Sequence, residues 1–101
     1  MQIAYFYQTS CPHCQNSINV VENLKRSGAN IQFIQLDSNK NQPLHENSIP
    51  YTKELDDYFH VNSTPTWVLK VRNTYTQLVG EQSVQTLERT ANKLLKGENV
   101  Q

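Results

Sequence analysis

Neither an excess of charge nor a long apolar run appears in this 101-residue chain, which also has only two cysteines; each lack removes a class of function. Nine basic side chains are balanced by nine acidic ones. Without a basic excess there is nothing to set against a phosphate backbone, so no nucleic-acid partner is expected. The longest apolar run, Ile3 to Tyr7, falls far short of the roughly 20 residues of a membrane span, and no membrane partner is expected either. The first residues carry no basic leader and no cleavage-type site, which makes the expected location cytoplasmic. Cys11 and Cys14 are too few and too close together to frame a secreted, disulfide-stapled scaffold. No internal repeat or linker interrupts residues 1–101, so one domain and a monomer are expected.

What is present is polar and economical. Eleven asparagines and ten glutamines are scattered rather than gathered in tracts, and they read as polar surface. Ile3 to Tyr7 reads as a buried strand, followed by a helix opening at Pro12 with Ile18, Val21 and Leu24 on one face. Ser27-Gly28 closes that helix, and Ile31 to Leu36 is a second strand, parallel to the first by the usual crossover. Asn39 to Tyr51 has little periodicity. A short helix over Thr52 to Phe59 should bury Leu55 with Tyr58 or Phe59. Thr66 to Val71 and Tyr75 to Val79 read as an antiparallel pair around a turn at Arg72-Asn73-Thr74. Val84, Leu87, Ala91, Leu94 and Leu95 then mark one face of a last helix. The order is βαβ–α–ββα, an α/β protein.

Cys11-Pro12-His13-Cys14 sits where the first strand turns into the first helix. A spacing of three on a helix brings both sulfurs to one face, within reach of a disulfide. Cys11, at the helix terminus, faces free backbone N–H groups and the positive end of the helix dipole, which favour thiolate over thiol. Cys14 lies one turn inside and is the less exposed of the two. A cysteine with a pKa near 8.5 is only about 3% thiolate at pH 7, so lowering that pKa raises the attacking species directly. His13 adds positive charge or a hydrogen bond beside the sulfur. The expected chemistry is an asymmetric dithiol in which Cys11 attacks and Cys14 resolves the mixed disulfide.

With these residues the chain resembles the thioredoxin superfamily over nearly its whole length. The resemblance rests on Cys11-Pro12-His13-Cys14, on Thr64-Pro65-Thr66 ahead of a strand, and on Gly80 ahead of an amphipathic last helix. It implies a thioredoxin fold, with a central four-stranded mixed sheet flanked by helices. It also implies a cis proline at Pro65 facing the dithiol, and backbone groups of Thr64 offered to an extended substrate. Thioredoxins proper carry Trp before the first cysteine, Gly-Pro between the pair and a buried acid in the preceding strand. Here those places hold Ser10, Pro12-His13 and Tyr5. The Pro-His pair looks like disulfide-forming oxidases of the DsbA type, whose helical insertion does not fit in 101 residues. Glutaredoxins share the short first strand, but their Gly-Gly-x-x-Asp is replaced by Gly80-Glu81-Gln82-Ser83.

Zinc is the rival for the cysteines, and it needs about four ligands, usually with a second close pair. His45 and His60 form no such pair, so neither a metal nor another cofactor is expected, and both histidines read as surface or loop residues. Trp67 and the Tyr5-Phe6-Tyr7 run read as core, and Asp56-Asp57 as a solvated helix face. The expected activity is thiol–disulfide exchange with protein disulfides or dithiols, linked to an unidentified electron donor or acceptor. A non-catalytic docking module and a glutathione-dependent, glutaredoxin-like enzyme are the alternatives.

Overall fold

Residue by residue, β1 (Gln2–Tyr7) alternates between two hydrophobic layers, and the rest of the molecule is built around it. Strand geometry sends Ile3, Tyr5 and Tyr7 to one face and Ala4 and Phe6 to the other. Both faces are covered, which explains why this strand is continuously apolar rather than alternating with polar residues. The computed structural model describes residues 1–97.

β2 (Asn30–Gln35) lies parallel to β1, with Phe33 opposite Tyr5. β4 (Thr66–Val71) lies antiparallel on the other side, with Trp67 opposite Tyr5. β5 (Thr74–Val79) returns antiparallel to β4 through a turn in which Arg72 takes a φ of 57°. The four expected strands are present, and a fifth, β3 (Ile49–Pro50), pairs in parallel with the end of β2. The sheet order is β3-β2-β1-β4-β5. A two-residue edge strand containing a proline carries no alternation to read, and so the sequence pattern does not reveal it.

The expected first helix is divided in two, α1 (Pro12–Asn16) and α2 (Ile18–Arg26). Ser17 makes the break, because its hydroxyl donates back to the His13 carbonyl at 2.8 Å and its N–H turns to the Cys14 carbonyl at 3.1 Å. Such back-bonding competes with the regular helical ladder. α3 (Lys53–Phe59) is capped by the Thr52 hydroxyl and α4 (Val84–Leu95) by the Ser83 hydroxyl, each accepting from the backbone N–H three residues on.

The larger core layer joins Ile3, Tyr5, Tyr7, Phe33, Trp67 and Leu69 of the sheet to Cys14, Val21 and Leu24, and to Leu87, Ala91 and Leu94 of α4. Leu95, expected on that face, is instead half exposed. The smaller layer sets Phe6, Ile34, Val61 and Val68 beneath α3, where Leu55 and Phe59 are the packing residues and Tyr58 points outward. Burying each large side chain here stabilises the fold by about 1.5–3 kcal/mol. The helices of the larger layer are what hold the Cys11-Pro12-His13-Cys14 turn against the sheet.

Candidate active site

The C-terminal end of β1, the N-terminal end of β4 and the C-terminal end of β5 lie side by side, since Phe6 pairs with Thr66 and Thr66 with Val79. Three loops therefore converge at one edge: residues 8–11, residues 61–65, and Gly80 onward. Gly80 donates its N–H to the Pro65 carbonyl at 2.8 Å, and its own carbonyl accepts the Trp67 indole N–H at 2.9 Å. Gly80 has a φ of 92°, a backbone that a side chain would strain. The Gln8 side-chain oxygen accepts from the Thr64 hydroxyl at 3.1 Å and ties the first loop to the second.

Asp37, just beyond β2, anchors the loop that delivers the cysteines. Its carboxylate accepts from the Thr9 amide, from the Thr9 hydroxyl at 2.6 Å, from Gln35 at 3.1 Å and from Asn41 at 3.0 Å. Burial works to raise its pKa, but the Thr9, Asn41 and Gln35 hydrogen bonds outweigh that and hold it at about 2.

Cys11 is the N-cap of α1, with an extended backbone, and accepts the Cys14 N–H at 3.4 Å. Its thiol donates to the Thr64 carbonyl at 3.5 Å. The Thr64–Pro65 peptide is cis, and Pro65 is itself fully buried. Burial raises the Cys11 pKa; the Thr64 hydroxyl, the Cys14 side chain and amide and the His13 amide offset it, and the net direction is downward. Cys14 is fully buried, and burial pushes its thiol up to about 12 despite the opposing Gln8 amide. The two thiols are free, three residues apart, and shifted in opposite directions.

His13 points into solvent and meets Glu81 from the start of the last loop, Nδ1 to Oε2 at 2.6 Å. Asn16 donates to the same oxygen at 3.5 Å. The hydrogen bond to Glu81, then its charge, raises the His13 pKa, and Glu81 is lowered in return. Pro12 opens α1, as the sequence suggests, so the fold brings Cys11, Pro12, His13, Cys14, Thr64 and Pro65 to one edge.

Sequence reasoning misses Gln8, Asp37 and Glu81. Glu81 stands 68 residues from His13, and no local pattern links the two. His45 lies in a loop but is buried, boxed by the rings of Tyr5, Tyr7 and Phe33, with Phe33 stacked on it at 4.6 Å between centroids. Of its expected surface or loop position, the loop holds and the exposure does not. The uncharted 39–51 segment folds over the aromatic end of β1, where apolar surface is available. His60 is exposed at the end of α3.

Among the described residues no three His, Cys, Asp or Glu side chains gather where they could hold one metal ion. No helix among them is long and apolar enough to cross a membrane. A groove on the other face of the sheet, lined by Ala4, Phe59, Val68, Lys70, Tyr58 and Tyr75, contains no cysteine and is separate from the dithiol.

The family model described as DCC1-like thiol-disulfide oxidoreductase matches residues 5–92, a span containing both cysteines and Thr64-Pro65. No curated protein matches the chain. Among solved structures, StoA from Bacillus subtilis superposes with a TM-score of 0.68 at 18% identity, over 87% of this chain and 79% of that one. MTB dsbF, in mixed oxidized and reduced forms, gives 0.65 at 17% identity, over 92% and 79%. The germline-specific thioredoxin Deadhead from Drosophila melanogaster gives 0.57 at 23% identity, over 94% and 78%. At these identities the likeness is one of fold, and the fold is that of thioredoxin.

Proposed function

The chain belongs to the DCC1-like thiol-disulfide oxidoreductase family, and on that premise we propose that Cys11 is its attacking sulfur and Cys14 its resolving sulfur. The observation that carries the assignment is the opposition between the two thiols. Cys11 is partly exposed, accepts the Cys14 N–H and has a lowered pKa, whereas Cys14 is buried with a raised one.

The Cys11 thiolate attacks one sulfur of a protein disulfide. A Cys11–substrate bond forms, the substrate disulfide breaks, and the other substrate sulfur leaves as a thiolate that takes up a proton. Cys14 then attacks Cys11, which gives the Cys11–Cys14 disulfide and the second substrate thiol, the Cys14 proton passing to solvent. An electron donor returns the pair to the dithiol, and the reverse sequence oxidises a substrate dithiol. Thr64 and Pro65 form the docking edge. The substrate, lying extended beside Thr64, takes over the carbonyl that the Cys11 thiol uses at rest. His13, whose pKa the hydrogen bond to Glu81 raises, keeps its positive charge near Cys11 to higher pH than a free imidazole would.

A monomer in the cytoplasm fits this reading. Glutathione keeps cytoplasmic thiols reduced, so the resting form there is the dithiol. Acid trapping of the thiols in cells, followed by alkylation, reads that state. The mechanism is tested with two variants. Cys14→Ser should accumulate covalent complexes with substrate proteins that a reductant dissolves, and Cys11→Ser should form none and lose disulfide reductase activity. Activity retained by Cys11→Ser overturns the assignment, and a biological role that survives Cys11→Ser with Cys14→Ser identifies a docking module instead.

A further inference from the structure

Gln8 is the first residue after β1, and it touches both Cys11 and Thr64. Its backbone carbonyl accepts the Cys11 N–H at 3.4 Å, and its side-chain oxygen accepts the Thr64 hydroxyl at 3.1 Å. The third side of this triangle is the Cys11 thiol, which donates to the Thr64 carbonyl at 3.5 Å. Among the described residues, two hydrogen bonds join residues 8–14 directly to the loop 61–65: Gln8 to Thr64 and Cys11 to Thr64.

One of these two cannot last through a turnover. A thiolate has no proton to donate, so the Cys11–Thr64 bond is lost as soon as Cys11 ionises to attack. An extended substrate that claims the Thr64 carbonyl removes it from the other end. The Gln8–Thr64 bond joins two neutral side chains that take no part in the exchange, and it remains. We infer that Gln8 is a positioning residue that sets substrate specificity: it keeps Thr64 in register with Cys11 while an extended polypeptide disulfide docks, and so favours such substrates over small disulfides. The inference rests on the proposed docking of substrate at Thr64.

The fold itself does not depend on this bond. Phe6 pairs with Thr66 in the sheet, the Gly80 N–H holds the Pro65 carbonyl at 2.8 Å, and the Thr66 hydroxyl holds the Ser63 carbonyl at 2.7 Å. Gln8 is half-buried and belongs to neither hydrophobic layer. Losing its side-chain oxygen therefore changes where Thr64 stands beside the sulfur rather than whether the sheet forms. A small disulfide needs only the Cys11 sulfur, whereas a polypeptide must meet Thr64 and Cys11 together, so the two respond differently.

The test mixes the reduced protein with an excess of either insulin or hydroxyethyl disulfide, quenches with acid and alkylates the remaining thiols. Each event closes the Cys11–Cys14 disulfide and reduces one probe disulfide to two thiols. Gln8→Met has similar length and no strong acceptor. It should lower the second-order rate with insulin about three- to tenfold, as befits one neutral hydrogen bond, mainly through a higher half-saturating concentration. Its rate with hydroxyethyl disulfide and its melting temperature should match the parent's. Thr64→Val reads the same bond from its other end and keeps the Thr64 backbone; it should lose as much, and the double variant should lose no more than either. Gln8→Glu retains an acceptor oxygen and should keep the parent's ratio of the two rates. A parental ratio in folded Gln8→Met or Thr64→Val, additive losses in the double variant, or equal slowing with both probes overturns the inference. A parent that uses insulin no faster than hydroxyethyl disulfide at equal concentration shows instead that Thr64 docks no polypeptide, and the inference falls with that reading.

Discussion

His13 and Glu81 clasp each other across the rim of the dithiol, 2.6 Å apart, one from the first turn of α1 and the other from the loop before α4. The pair is open to water, so its value lies in fixing a protonation state close to Cys11 rather than in holding the fold together. Glu81 raises the His13 pKa, and what stability the pair adds is present below the ordinary histidine value of 6.5 and fades as pH rises through the raised one. Glu81→Gln should therefore let His13 lose its proton at lower pH and leave Cys11 less ionised. Iodoacetamide labelling of Cys11 near pH 7 should slow by at most several-fold, and salt should shrink the difference between variant and parent. Equal labelling rates at low salt would show that Glu81 does not influence the thiolate.

The opposed thiol pKa values make labelling selective. Cys11, lowered from 9.0, should react as a single thiol across the neutral range, with a rate that falls as acid protonates it. Cys14, at about 12 and fully buried, should stay unlabelled in the folded protein and react only after unfolding. Mass spectrometry after brief labelling at pH 7 and pH 9 reads this directly. Two adducts on folded protein at pH 7 contradict the asymmetry.

Trp67 links the core to the site edge. Its indole is fully buried against Tyr5, and its N–H supplies the Gly80 carbonyl. Trp67→Phe loses ring volume and leaves that carbonyl without its donor, so a loss of about 2–3 kcal/mol is expected in urea unfolding. The Gly80 amide also holds the Pro65 carbonyl, so disulfide reduction should slow in the same variant. Stability changed by less than about 0.5 kcal/mol would mean that the indole N–H is dispensable.

Much of this was legible in the sequence because local signals and the fold agree. The run from Ile3 to Tyr7, the alternation of Trp67 and Leu69, and the spacing of Leu87, Ala91 and Leu94 each report one buried face, and the strand-to-helix dithiol reports its own chemistry. Other features depend on contacts between residues distant in the chain. Glu81 reaching His13, Asp37 reaching Thr9 and His45 entering an aromatic box have no periodic signature. The helix break at Ser17 turns on one hydroxyl choosing a carbonyl four residues back, a choice open to any helical serine.

Asp37 offers the sharpest dependence on acid. Its carboxyl is held at about 2 in the fold against 3.8 in the unfolded chain, so it contributes stability that is fully present above pH 3.8 and lost as pH falls through 2. The shift corresponds to roughly 2 kcal/mol at neutral pH. Asp37→Asn should forfeit about that much at pH 7, and the deficit should close as both proteins approach pH 2. The Thr9 amide and hydroxyl lose a charged acceptor in this variant, which frees the loop that presents Cys11, so the labelling rate of Cys11 should change as well. Urea midpoints of parent and variant at pH 7 and pH 2 provide the check. A deficit that stays constant across that range would mean that the carboxylate's charge is not what anchors the loop.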